Sequence, residues 1–179
     1  MRYVALLRGV NVGGRTLVSM AELRALSMQH GFAEVATLLQ SGNLVFAEGK
    51  RDAVEIERVL ESAAEKELGL KLSVLVRSAP EWRRIIAGNP HDEAAKHDPG
   101  HLLVLFLKNA PAAKAWKALE SAITGPEIVS GKKRHAYVVY PAGIGRSKLT
   151  NAVIEAKLAT RVTGRNWNTA LKLAAMLED

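Results

Sequence analysis

Two rhythms of apolar and polar positions run along this chain, and the order in which they appear repeats. Tyr3 to Leu7 is an apolar run of strand length that ends at Arg8-Gly9. From Ser19 to His30, Met20, Leu23, Ala25 and Leu26 fall at helical spacing. Ser19 and Glu22 form a capping box there, and Gly31 supplies the stop. Val35 to Leu39 and Leu44 to Ala47 read as strands of one hairpin, joined by Gln40-Ser41-Gly42-Asn43. Asp52 to Leu68 returns to the helical period through Val54, Ile56, Val59, Leu60, Ala63 and Ala64. Leu72 to Val76 alternates again. The order is βαββαβ.

A short helix from Pro80 to Ala87 and a Pro- and Gly-flanked linker, Asn89 to Gly100, interrupt the pattern. The order then recurs. His101 to Leu107 reads as a buried strand and Ala112 to Ile123 as a helix. Glu127 to Ser130 and His135 to Tyr140 bracket a Gly131-Lys132-Lys133-Arg134 turn. Lys148 to Leu158 reads as a helix, Thr160 to Thr163 as a short strand, and Asn166 to Leu177 as a closing helix. Two βαββαβ units in tandem predict a duplicated ferredoxin-like α/β (α+β) fold. Each sheet would be antiparallel, with strand order 4-1-3-2 and helices on one face. The expected parts are residues 1–78, a helix and linker over 79–100, and residues 101–179 with the C-terminal helix, packed as one compact domain. A doubly wound parallel sheet is the rival, and the hairpins around Gly42 and Gly131 count against it.

This topology brings distant segments together. In the first unit it joins the loop Arg8 to Arg15 with Gln40 to Asn43. In the second it joins Pro141 to Lys148 with Gly164 to Thr169. Glycines at 9, 13 and 14 permit close backbone approach, and consecutive N–H groups entering a helix can cradle an anion. Arg8, Asn11, Gly13, Gly14, Ser41 and Asn43 are therefore one candidate site. The plainer alternative is a tight turn in which Asn11 and Asn43 satisfy loop backbone groups. The second candidate is Arg146, Ser147, Lys148, Arg165, Asn168, Thr169 and Lys172, with Ser147 expected to cap a helix. Cations at helix N-termini oppose the dipole, so their placement there points to an anion. The alternative is that Asn166 and Asn168 cap the last helix, Trp167 is core, and the cations face water.

Composition narrows the field. The chain has 179 residues, 48% of them hydrophobic and 24% charged, and no cysteine. Disulfides, thiolate metal sites and cysteine nucleophiles are excluded. No apolar run approaches the ~18 residues of a membrane span, and the N-terminus lacks the form of a secretory signal, so a cytoplasmic protein without a membrane partner is expected. Net charge is +7. Nine cations over residues 130–172 (Lys132, Lys133, Arg134, Arg146, Lys148, Lys157, Arg161, Arg165 and Lys172) face one acid, Glu155. Such an excess concentrates anions nearby. Nucleic acid or a phosphorylated small molecule is the candidate partner, and a homodimer is a further one.

Four ordered segments carry a resemblance. Leu6-Leu7-Arg8-Gly9-Val10-Asn11-Val12-Gly13-Gly14, Gln40-Ser41-Gly42-Asn43-Leu44-Val45-Phe46, Tyr140-Pro141-x-Gly143-x-Gly145-x-Ser147-Lys148-Leu149 and Arg165-Asn166-Trp167-Asn168-Thr169 resemble the bacterial domain of unknown function 1697 family. The resemblance implies an α/β fold and a cytosolic bacterial origin. It implies no reaction and supplies no catalytic residue.

Other chemistries find weaker support. His91, Asp92, Glu93, His97, Asp98 and His101 are potential metal ligands, but they lie in a Pro-bounded loop without H-E-x-x-H spacing, and no metal or cofactor is expected. There is no G-x-S-x-G, G-x-G-x-x-G or P-loop motif. Ser41 and Ser147 have no histidine or acid that the topology brings near, and no carboxylate stands out at either glycine-rich cluster. An RNA-recognition module would need exposed aromatics on its sheet, whereas Tyr3, Phe46, Phe106, Tyr137 and Tyr140 read mostly as core. The expected function is binding of a phosphate-bearing ligand at the second cluster. The alternatives are a small-molecule enzyme acting on an anionic metabolite at the Arg8–Gly14/Gln40–Asn43 edge, or a homodimerisation module.

Overall fold

A computed structural model describes residues 1–11 and 17–178. The chain divides into two compact units, Met1–Arg84 with Leu173–Asp179, and Ile85–Lys172.

In the first unit, β1 (Arg2–Leu7), α1 (Met20–Gln29), β2 (Ala33–Thr37), β3 (Asn43–Ala47), α2 (Ala53–Leu68) and β4 (Val74–Ser78) follow in order, and α3 (Ala79–Ala87) comes next. The sheet order is β2-β3-β1-β4, and every pairing is antiparallel. Ser19 caps α1 in a reciprocal box with Glu22, and Asp52 caps α2 in the same way with Glu55. Each box satisfies two of the orphan donors of a helix N-terminus. Both helices cover one sheet face: Met20, Leu23, Ile56 and Leu60 pack with Tyr3, Ala5, Leu7, Leu44, Phe46, Val74 and Val76.

The second unit repeats the plan. A short helix, α4 (Asp92–His97), precedes β5 (Leu102–Leu107), α5 (Ala113–Glu120), β6 (Ile128–Lys132), β7 (His135–Val139), α6 (Asn151–Leu158), β8 (Val162–Asn166) and α7 (Trp167–Glu178). The sheet order is β6-β7-β5-β8, again antiparallel throughout. Leu119, Ile154 and Leu158 pack with Leu103, Leu105, Leu107, Ala136, Val138 and Val162. This is the tandem ferredoxin-like arrangement, and its duplication extends to individual bonds. Leu7 N–H donates to Gly42 O and Leu107 N–H to Arg134 O; Arg8 N–H donates to Ser73 O and Lys108 N–H to Arg161 O. Glu61 accepts the outward N–H of Val74 on edge strand β4, and Glu155 accepts that of Val162 on edge strand β8. These carboxylates occupy backbone donors that an open edge would offer to another chain. Arg77 opposite Val4 and Arg165 opposite Val104 hold the same register position. Ser78 and Asn166 follow them, and each accepts the N–H of the residue three positions on, Glu81 and Thr169.

Several boundaries differ from the sequence reading. The linker contains α4, whose first turn carries Asp92 and Glu93 as its dipole favours. The β6–β7 turn is Lys133-Arg134 alone, because Lys132 pairs with His135. The helix expected from Lys148 starts at Asn151: Ser147 closes a 3₁₀ turn over Ile144–Arg146, and Thr150 is the cap, accepting Val153 N–H. The last strand is Val162–Asn166 rather than Thr160 to Thr163, which places Arg165 within the sheet.

Candidate functional site

The second cluster is built at the end of its sheet where β5 begins. Tyr140 N–H donates to His101 O, and Trp167 N–H donates to Pro99 O. Asn166 Oδ1 accepts Thr169 N–H at 2.9 Å and caps α7. Trp167, at 6% exposure, is core. Arg146, Lys148, Asn168 and Lys172 are exposed. Arg165 and Thr169 are buried.

Arg165 corrects the expected convergence. In β8, Val162 faces the helices, so Thr163 and Arg165 face the other way. The Arg165 guanidinium donates back to Thr163 Oγ1 at 2.9 Å and Gly164 O at 2.8 Å. Burial lowers its pKa to about 10, which leaves it a cation at neutral pH. It spends donors on its own strand rather than meeting Arg146 and Lys148 in solvent.

Ser147 corrects a second expectation. Its hydroxyl donates to Glu127 Oε1 and accepts Leu149 N–H at 2.9 Å. A carboxylate therefore does stand at this glycine-rich cluster, and it takes the proton an anionic ligand would need. Burial, and next the Glu127 charge, push the Tyr140 phenol up to about 12; its hydroxyl donates to Leu149 O at 3.1 Å. Beside this loop His101 Nδ1 lies 2.8 Å from Asp98 Oδ2. His97 pairs with Glu93, and His91 with Ser130. Among the described residues no three His, Cys, Asp or Glu side chains are grouped to hold a metal.

In the first cluster the expected segments meet. Asn11 sits at φ 54 and donates from Nδ2 to Val18 O at 2.9 Å and Gln40 O at 2.7 Å. Its Oδ1 accepts Val18 N–H at 3.0 Å. Asn43, fully buried, donates to Leu38 O at 2.7 Å and Ser41 Oγ at 3.0 Å. Gly42 has φ 75, and a Cβ there would lie 2.6 Å from Val10 Cγ2 and 2.7 Å from Leu7 Cβ. Both amides thus serve the loop backbone. Arg8 is half-buried, and Gly13, Gly14 and Arg15 lie outside the described residues.

One feature escaped the sequence reading, and a second was seen there only in part. One is a cavity of about 480 Å³ in the first unit, lined by His30, Arg51, Arg58, Lys66, Glu55 and Glu67 over Val59 and Ala63. Its charges are mixed: His30 pairs with Glu67 at 2.6 Å, and Arg51 reaches Glu48 at 2.9 Å. Burial acts to raise the Glu48 pKa, but N–H donors of Lys50 and Gly49 and the Arg51 charge hold it below the usual value. The other is the partition of charge. The second unit carries 13 Lys and Arg against 6 Asp and Glu, and the first carries 12 against 12. The whole excess of seven lies in one unit. The sequence alone shows the bias, +2 over residues 1–90 and +5 over 91–179, and the unit boundaries, which group Leu173–Asp179 with the first unit, make it complete.

Two antiparallel ferredoxin-like repeats with a basic second half define the class. The chain belongs to the family described as a protein of unknown function (DUF1697), whose model matches residues 1–137. The match ends before the Tyr140–Leu149 and Arg165–Thr169 segments. The structure of conserved bacterial protein SP0830 from Streptococcus pneumoniae is similar over 98% of both chains, with a TM-score of 0.77 and 22% identity. That likeness shows the fold. No curated protein matches. Among the described residues no helix is long and apolar enough to cross a membrane.

Proposed function

We propose that this chain binds a phosphate-bearing ligand in the cytoplasm, with nucleic acid the favoured class, and that the second unit provides the contact. The observation that carries this reading is the charge partition: a net of +7 on Ile85–Lys172 and zero on the remainder. A field of one sign over one half of a molecule steers and retains polyanions, and phosphate contacts supply most of sequence-independent affinity. Arg146, Lys148, Asn168 and Lys172 are exposed and available. Arg165 and Ser147 are not part of the proposed contact, because their donors are engaged within the fold.

The mode is backbone contact without base stacking. Phe106, Tyr137 and Tyr140 are each at most 2% exposed, and Tyr3 and Phe46 are buried too. Among the described residues, these sheet aromatics offer no platform of the RNA-recognition type. Binding should therefore be insensitive to sequence and sensitive to salt. Fluorescence anisotropy with labelled duplex and single-stranded oligonucleotides, titrated at several salt concentrations, tests this. The slope of log K against log salt should fall by about 0.9 per duplex phosphate neutralised, or about 0.7 for a single strand. Absence of binding at ~50 mM salt, where phosphate contacts are strongest, overturns the reading.

A further inference from the structure

The β6–β7 end of the second unit holds a group of cations that the proposed contact above does not use. Three hydrogen bonds donated by backbone N–H groups hold the loops together there. Leu107 N–H donates to Arg134 O at 2.9 Å and Lys108 N–H to Arg161 O at 2.9 Å, while Asn109 N–H donates to Thr160 Oγ1 at 3.0 Å. These bonds fix Lys108, Arg134 and Arg161 on three adjoining strand ends, one strand spacing of ~4.8 Å apart. Lys132 and Lys133 stand exposed in the hairpin, and Lys157 is exposed in the last turn of α6, which leads into β8. Six cations therefore share one end of the sheet, and Arg134 buries its Nε and Nη2 atoms there rather than offering them to a ligand. The nearby carboxylate, Glu155, already accepts Val162 N–H at 2.8 Å and lies 4.0 Å from Arg161.

The turn itself is the second observation. It has only two residues, Lys133 and Arg134, and Lys133 adopts φ 55. Two-residue hairpin turns favour Asn, Asp or Gly at left-handed positions, because a Cβ is disfavoured there. The equivalent hairpin of the first unit also has left-handed residues, Leu39 at φ 60 and Gly42 at φ 75. A lysine in the left-handed region carries a backbone cost that glycine would not. Strain of this kind gathers where a side chain is needed for another purpose.

We infer that this hairpin end, with Lys132 and Lys133 at its tip and Lys108, Arg161 and Lys157 behind them, is a docking surface for the sugar-phosphate backbone of nucleic acid. The inference rests on the polyanion reading and adds to it a place of contact at the end of the sheet opposite Arg146 and Lys148. A strand of nucleic acid carries a charge every ~3.4 Å of duplex rise, so a row of cations at strand spacing can meet consecutive phosphates. Lys and Arg without stacking aromatics read no sequence.

The test uses the full chain, a fluorescein-labelled duplex of mixed sequence, and anisotropy between about 50 and 200 mM salt. K132S/K133G removes two cations, and its glycine suits the turn, so its melting temperature should equal or exceed that of the wild type. Its affinity at ~50 mM salt should drop about tenfold or more, with the salt slope shallower by about 1.8 for two lost contacts. K157E, outside the turn, should weaken binding independently, while K71A, an exposed lysine of the first unit, should leave it unchanged. Wild-type affinity in both K132S/K133G and K157E overturns the hairpin surface while the polyanion reading stands. An equal loss in K71A overturns it too, because the effect would then be one of net charge. Failure of the wild type to bind at ~50 mM salt removes the reading and the surface together.

Discussion

The two repeats carry the same pair of backbone bonds at the same strand ends and use those ends differently. In the first unit, Leu7 and Arg8 donate to Gly42 and Ser73; in the second, Leu107 and Lys108 donate to Arg134 and Arg161. Around the first pair the side chains turn inward. Asn11 ties three backbone groups, Asn43 two acceptors, and Gly42 admits Leu7 and Val10 against its backbone. Around the second pair the turn carries Lys133 at φ 55, and exposed cations surround it. Duplication preserved the frame, where both copies need the same bonds. It left the turn residues free to differ, with inward-turned amides and a close-packed glycine in one copy and positive charge in the other.

Four substitutions probe that contrast. Trp167→Ala, at the far end of the second unit, should have the largest effect, about 3–5 kcal/mol of stability, because Trp167 is core. A variant melting within a degree or two of the wild type would place the indole in solvent and move attention to that end. Gly42→Ala should cost about 2–5 kcal/mol, combining a left-handed conformation with contacts to Leu7 and Val10 that are too close. A chemical-denaturation midpoint near that of the wild type would show that the first turn can relax. Asn11→Ala should cost about 1–3 kcal/mol through unpaired Val18 and Gln40 groups. Lys133→Gly should go the other way and raise stability by up to about 1 kcal/mol, a gain of ~2–4 °C in a chain of this size. A lower Tm in this variant would mean that Lys133 stabilises the hairpin, and the contrast between the turns would fail.

Much of the fold was legible in the sequence because local signals agreed with each other. The Ser19/Glu22 box, the helical spacing of Ile56 and Leu60, and the repeated βαββαβ order all led to the observed elements. The candidate site was less legible because it depends on register. Reading the second hairpin turn as Gly131 to Arg134 hid the pairing of Ile128 with Val139, which carries Glu127 toward Tyr140 and Ser147. Ending the last strand at Thr163 hid that Arg165 belongs to the sheet and lies on the face away from the helices. Trp116 also lies where a Cβ on Gly131 would sit, so that glycine belongs to packing rather than to the turn. A shift of one or two residues changes which side chains share a face or an end, and composition does not register such a shift. The charge bias was legible in the cations over residues 130–172, and the boundaries at Arg84/Ile85 and Lys172/Leu173 sharpened it into a full partition.

The central claim is that the second unit is the half that meets phosphate. It is tested most directly by following backbone amide resonances of the full chain during titration with a short duplex oligonucleotide at ~50 mM salt. The account predicts salt-reversible shifts confined to Ile85–Lys172, largest at Lys132, Lys133 and Arg161, with Arg146 and Lys148 also moving. Shifts centred on the cavity around His30, Arg51 and Arg58, or no shifts at all, would contradict it.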